Sequence, residues 1–185
     1  MLRDVRRFLL PSLFLTCLLS GGVTPLAEAT SRQVGLCEKL KPCQLLVQSD
    51  AERILGQPVH LTQDTSVLKG GVRQCLCAYT GVSKDKASGQ DVYLFFSLEQ
   101  REEKPSAEQA HQVLESTKEE NAHDLSILDL TGIGEEAFLL SNDADSHLIM
   151  GRKGAIIMRL QVKKAAGKRS IDELKTFAEK VFKQL

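Results

Sequence analysis

Val72-Arg73-Gln74-Cys75-Leu76-Cys77-Ala78-Tyr79-Thr80 is the stretch on which the reading of this chain turns. It reads as a β-strand, and in a strand residues two apart share a face. Cys75 and Cys77 therefore point the same way, too far apart along an extended backbone to bond each other. Each needs a partner, and the other cysteines beyond residue 29 are Cys37 and Cys43. Four cysteines permit three connectivities. The preferred one is Cys37–Cys75 with Cys43–Cys77, because two parallel staples would dock the N-terminal segment across one strand. Closing a loop of this length stabilises by about 3–4 kcal/mol in the chain-entropy model. Two other chemistries compete for the same sulfurs. Four thiolates could hold zinc or Cu(I), although Cys-x5-Cys and Cys-x-Cys miss the usual zinc-knuckle spacing. Cys75 and Cys77 could work as a redox pair, although no helix N-terminus follows them to depress a thiol pKa.

Disulfides presuppose an oxidising compartment, and residues 1–29 read as the route to one. Arg3, Arg6 and Arg7 form a cationic start, Phe8 to Leu19 an apolar run, and Leu26-Ala27-Glu28-Ala29 an Ala-x-Ala end. These are the three parts of a secretory signal peptide, with cleavage expected between Ala29 and Thr30. The apolar run falls short of the ~20 residues that span a bilayer, so no transmembrane span is expected in the mature chain. Cys17 follows Phe14-Leu15-Thr16 and lacks the small preceding residue of a lipobox, which argues against a lipid anchor. Arg6-Arg7 is out of step with a twin-arginine signal. Residues 30–185 are then a single exported domain, periplasmic or extracellular.

Composition narrows the function further. The 185 residues carry 24 basic and 24 acidic side chains, without the basic surplus that nucleic-acid binding requires. Residues 1–29 remove three basic and two acidic groups, so the mature chain stays near neutral and offers no general attraction to polyanions. At 42% hydrophobic residues with no tryptophan, the chain is ordinary globular material.

Three capping boxes announce helices. Ser49-Asp50-Ala51-Glu52 opens a short helix that Gly56 ends. Ser106-Ala107-Glu108-Gln109 opens one reaching about Asn121, with Ala107, Ala110, Val113 and Leu114 on a face. Ser170-Ile171-Asp172-Glu173 opens the last, whose Ile171, Leu174, Phe177, Ala178, Val181, Phe182 and Leu185 recur at the helical period. Strands are expected at Val59–Thr62, Val72–Thr80, Val92–Leu98, Leu125–Leu130, Ala137–Leu140, Leu148–Met150 and Ala155–Val162. Gly151-Arg152-Lys153-Gly154 reads as a hairpin turn, and the Ser83–Gln90 and Asn142–Ser146 segments as solvated loops. Short turns between strands make an antiparallel sheet, and the amphipathic helices must cover it. The fold class is α+β: a sheet of six or seven strands backed by two or three helices.

A catalytic constellation is hard to find. His60, His111, His123 and His147 are scattered, and no His-Glu-x-x-His pair occurs. His111, on the second helix, reads as a surface position. Gly132-Ile133-Gly134-Glu135-Glu136 lacks the lysine of a phosphate loop and carries two glutamates that would repel an anion, so it reads as a tight turn. Adjacent glutamates, Glu135-Glu136 among them, are expected to diverge into solvent.

Cys43-Gln44-Leu45-Leu46, Ser49-Asp50-Ala51-Glu52, Ile54-Leu55-Gly56-Gln57-Pro58-Val59, Cys77-Ala78-Tyr79-Thr80, Gly132 to Ala137, the Gly151–Gly154 hairpin and the terminal helix form a set. Together the set resembles the small secreted or lipid-anchored bacterial domains of unknown function first catalogued among actinobacterial lipoproteins. The resemblance covers nearly the whole mature chain. It implies a sheet backed by helices, similar to the photosystem II extrinsic PsbP-like fold, with the first helix's cysteine tied to the Cys77 strand. The chain departs from it by adding Cys37 and Cys75 and by lacking a lipobox, so lipid anchoring does not carry over. No catalytic role, cofactor or metal is implied.

The expectation is an exported, non-enzymatic envelope module that binds a protein, peptide or small apolar ligand in a concave apolar cleft between sheet and helix. The alternative is thiol redox or metal handling by Cys75 and Cys77. N-terminal sequencing of the exported protein is expected to begin at Thr30; recovery of Met1 would overturn the leader.

Overall fold

The computed structural model describes residues 35–86, 88–142, 146–163 and 168–185. The leader read into residues 1–29, Cys17 and the Ala29–Thr30 junction all lie outside them. The elements run α1 (Leu36–Lys39), α2 (Pro42–Leu45), α3 (Gln48–Leu55), β1 (Val59–Lys69), β2 (Val72–Gly81), β3 (Tyr93–Arg101), α4 (Ala107–Asn121), β4 (Ser126–Leu130), β5 (Glu136–Ser141), β6 (Ser146–Lys153), β7 (Ile156–Lys163) and α5 (Lys168–Gln184). All seven strands form one antiparallel sheet in the order β1-β2-β3-β7-β6-β5-β4. It is two meanders, β1 to β3 and β4 to β7, zipped along β3 and β7, with α4 as the crossover from the middle of the sheet to its far edge.

Alternation decides the two faces. Cys75, Cys77, Leu94, Phe96, Leu98, Met158, Leu160 and Val162 point to one face, all wholly buried, where α3 and α5 cover them. The apolar stripe of α5 supplies Leu174, Phe177, Ala178, Val181 and Phe182. Phe177 meets Phe96 edge-on, ring centroids 5.4 Å apart. The opposite face is covered in part: Ala110 and Leu114 of α4 pack on Phe138, Leu140, Met150 and Ile157.

Both bridges form as Cys37–Cys75 and Cys43–Cys77, with Cα separations of 5.3 and 5.2 Å. Cys75 and Cys77 have no exposed surface. Their partners sit on α1 and α2, two single-turn helices that the capping pattern did not announce.

Several local expectations are corrected. The first box does not form: α3 begins at Gln48 with Val47 as its N-cap, and Ser49 lies one residue inside the helix. Burial of Leu46 and Ala51 sets where the chain enters, and Gln48 Nε2 instead donates to Glu52 Oε1 at 2.9 Å. Ser170 is likewise buried inside α5 rather than capping it. The box at Ser106 does cap, accepting from the Gln109 N–H at 3.3 Å.

β1 runs seven residues past Thr62, to Lys69. It is an edge strand, exposed at every position after Val59, so its polar residues carry no alternation to read. The Gly70-Gly71 pair was the available signal, both glycines left-handed at φ 58° and 75° as a two-residue hairpin turn requires. The later hairpin turns at Gly154-Ala155, not Gly151–Gly154: the ladder runs on through Gly151↔Met158 to Lys153↔Ile156. Gly151 is glycine for packing instead. A Cβ there would lie 2.8 Å from that of Ala137 and 3.1 Å from the Phe182 ring. Gly134 (φ 63°) completes the seat for Phe182, since a Cβ there would lie 3.1 Å from the ring as well as 2.5 Å from the Arg152 carbonyl.

With one bridge in place, the other closes a ring of only about eight residues, so its loss costs about 2–2.5 kcal/mol, while losing both costs about 6 kcal/mol. Urea unfolding of the Cys43→Ala/Cys77→Ala double variant and of the cysteine-free quadruple variant is expected to reproduce that ratio.

Candidate functional site

The crossover helix α4 lies on the second face without filling it. Under its N-terminal half is an apolar socket of about 110 Å³ between the helix and the sheet end where β2 starts, β3 stops and β7 starts. Val72 and Ile157 form its floor, and Ala110 and Val113 of α4 its wall, with Ala155 at the hairpin turn beside them. Three local features build it. The Gly70-Gly71 turn delivers Val72, the Gly154-Ala155 turn delivers Ile157, and the Ser106 cap fixes where α4 begins.

The expected stripe of α4 is accordingly split. Ala110 and Leu114 are buried, whereas Val113 is 37% exposed at the socket's lip and Ala107 is exposed. Gln100 and Arg101 line the socket and also a larger polar groove, about 540 Å³, containing Lys39, Arg73 and Glu102. Arg73 Nε donates to Glu102 Oε1 at 2.7 Å there. The adjoining loop holds Lys104 in a left-handed conformation, φ 51°, which costs a non-glycine residue about 1 kcal/mol.

On the other flank of α4 lies a charged cluster. His111 Nδ1 is 2.9 Å from both carboxylate oxygens of Glu136. Arg152 hydrogen-bonds Glu136 through Nε and reaches Glu135 Oε2 through Nη1 at 2.6 Å. Burial alone would raise the Glu136 pKa, but the hydrogen bonds and charges of Arg152 and His111 outweigh it and hold the carboxyl below its ordinary 4.5. Burial would likewise lower Lys118, yet its bonds to Asp129 and Glu115 raise it. Lys118 Nζ sits 3.0 Å from Asp129 and 3.1 Å from Glu115, and 5.3 Å from the Phe138 ring centroid.

This geometry revises the reading of the acidic pairs. Glu135 and Glu136 do not both diverge into water: they converge on one guanidinium. Glu135 stands in the turn after left-handed Gly134, before β5 begins, so strand alternation does not separate the two. His111 is half-exposed as a surface residue, and it is paired. His111 and Glu115, four apart on a predicted helix, were a legible signal; Glu136, from a distant strand, was not.

The four cysteines are brought together, Cys75 and Cys77 each bonded to a partner on α1 or α2 rather than to each other. On the outer side, Cys37 and Cys43 line a surface groove with Asp64 and Ser66. His60 and His123 are exposed, and His147 is buried, its Nδ1 3.0 Å from Ser141 Oγ. Among the described residues, no helix is long and apolar enough to cross a membrane. Compared with protein-family models, curated proteins and solved structures, the chain matches none.

Glu136 is a depressed carboxyl, so its contribution is present above the ordinary pKa of 4.5 and fades as pH falls through the lower folded value. Glu136→Gln is expected to cost about 1–2 kcal/mol at neutral pH and to flatten the loss of stability below pH 4.5. Urea midpoints between pH 3 and 7 check both.

Proposed function

We propose that this protein is an exported envelope module that binds a protein or peptide partner through the socket under α4. The single observation that carries the reading is an apolar hole beside a polar groove. For comparison, an apolar cavity of about 150 Å³ accommodates a benzene ring. At about 110 Å³ the socket suits one aliphatic side chain, not a free ligand of several hundred Å³. An apolar anchor seated in a small pocket and ringed by polar contacts is the arrangement of interface hot spots. Export is part of the proposal, supported by the two bridges and the leader pattern. So is the likeness to secreted actinobacterial lipoprotein-type domains with a PsbP-like fold, which rests on the sequence motifs.

The earlier alternative of redox or metal chemistry at Cys75 and Cys77 has less to support it, since both sulfurs are bridged and buried.

A photo-crosslinking residue at position 113 is expected to trap a discrete envelope protein or peptide. Bait carrying Val113→Glu is expected to lose the partner that wild-type bait captures, while bait carrying Val82→Glu, at a 66% exposed site elsewhere, keeps it. Equal capture by both variants would overturn the reading.

A further inference from the structure

We propose that His111, Glu115 and Glu136 form a divalent-metal site of the zinc class that clamps α4 to β5. One ligand atom from each lies within 4.8 Å of the other two. His111 and Glu115 are one turn apart on α4 and so share a face. Glu136, the first residue of β5, meets that face from the sheet.

The donor set is a nitrogen and two carboxylate oxygens, which suits Zn²⁺ and its neighbours Co²⁺ and Ni²⁺ better than hard Ca²⁺. Bonds of about 2.0–2.2 Å put tetrahedral ligands about 3.4 Å apart. His111 Nδ1 and Glu136, at 2.9 Å, already approach that separation. Glu115 closes the remainder; its side chain is 45% exposed and has room to swing. Three protein ligands leave a position for water.

The surroundings favour the ion as well. Glu115, Asp129, Glu135 and Glu136 are four carboxylates against two cations, Arg152 and Lys118. With His111 neutral the cluster carries two negative charges in excess, which a dication offsets. Arg152 bonds Oε1 of Glu136 and leaves Oε2 to face His111. That is the role of an outer partner that orients a ligating carboxylate. Lys118 keeps Asp129 when Glu115 turns to the ion.

The test uses the intact oxidised protein with Zn²⁺ and Co²⁺ as probes. Zn²⁺ is expected to raise the melting temperature, and Co²⁺ to give visible ligand-field bands. Affinity is expected to fall at least tenfold in His111→Ala and in Glu115→Gln, while His60→Ala, distant from the cluster, binds as the parent does. Absence of both signals in the parent protein overturns the site and leaves the cluster as an ion-pair clamp. So does undiminished Co²⁺ absorption in His111→Ala. Should that variant not fold, the exposed Glu115→Gln decides by itself: retained affinity overturns the proposal, and a tenfold loss at unchanged metal-free stability upholds it.

Discussion

Phe96 on β3 and Leu160 on β7 face each other across the seam that joins the two meanders, and Phe177 of α5 closes over them. Each meander is a set of neighbouring hairpins that could pair locally. Their union along β3 and β7 joins segments some sixty residues apart, so ordering the intervening chain must be offset by apolar burial. The α5 stripe supplies it. Leu174, Phe177 and Val181 bury nearly all of their surface beside Ala178, and a fully buried side chain of their size is worth about 1.5–3 kcal/mol. The sheet, the placement of α4 and the seat of Phe182 on Gly134 and Gly151 all follow from that seam being closed.

The disulfides act on a different part of the problem. Residues 36–46 form two single turns of helix, too short to persist alone. Oxidation fixes them to β2, and Leu36 and Leu46 then complete the core beside α3. Asp50, buried on α3, holds Arg53 at 2.6 Å and Lys180 of α5 at 2.8 Å, so the stapled segment is also keyed to the seam helix. For this weak N-terminal segment the bridges thus do what a longer apolar stripe would otherwise do.

The second face is where functional potential gathers. One fifteen-residue helix cannot cover seven strands, and α4 rests on β5 to β7. Along one flank it leaves an apolar socket; along the other it meets the sheet through charges. The same helix therefore presents two chemistries on opposite flanks, Val113 toward the socket and His111 with Glu115 toward Glu136. A clamp on the charged flank would fix the wall of the socket, which is how the two proposals could be linked in one molecule.

The sequence by itself determined the elements whose pattern is set by burial on one side. The α5 stripe, the alternation of β3 and β7 and the paired faces of Cys75 and Cys77 were legible because one-sided burial writes a period into the chain. The α+β class followed from them, and geometry on the Cys75–Cys77 strand ranked the disulfides. The tertiary structure decided what that periodicity does not encode. Edge strand β1 buries nothing after Val59, so its length was silent. The helix start at Gln48 was set by packing against the core and not by Ser49, and Ser170 lies buried inside α5. Glu136 and Arg152 are ladder partners on β5 and β6, Glu135 stands just before β5, and only the crossover of α4 brings His111 and Glu115 to them. The socket has the same origin, because a void is defined by what neighbouring elements leave unfilled, and no local stretch of residues records that.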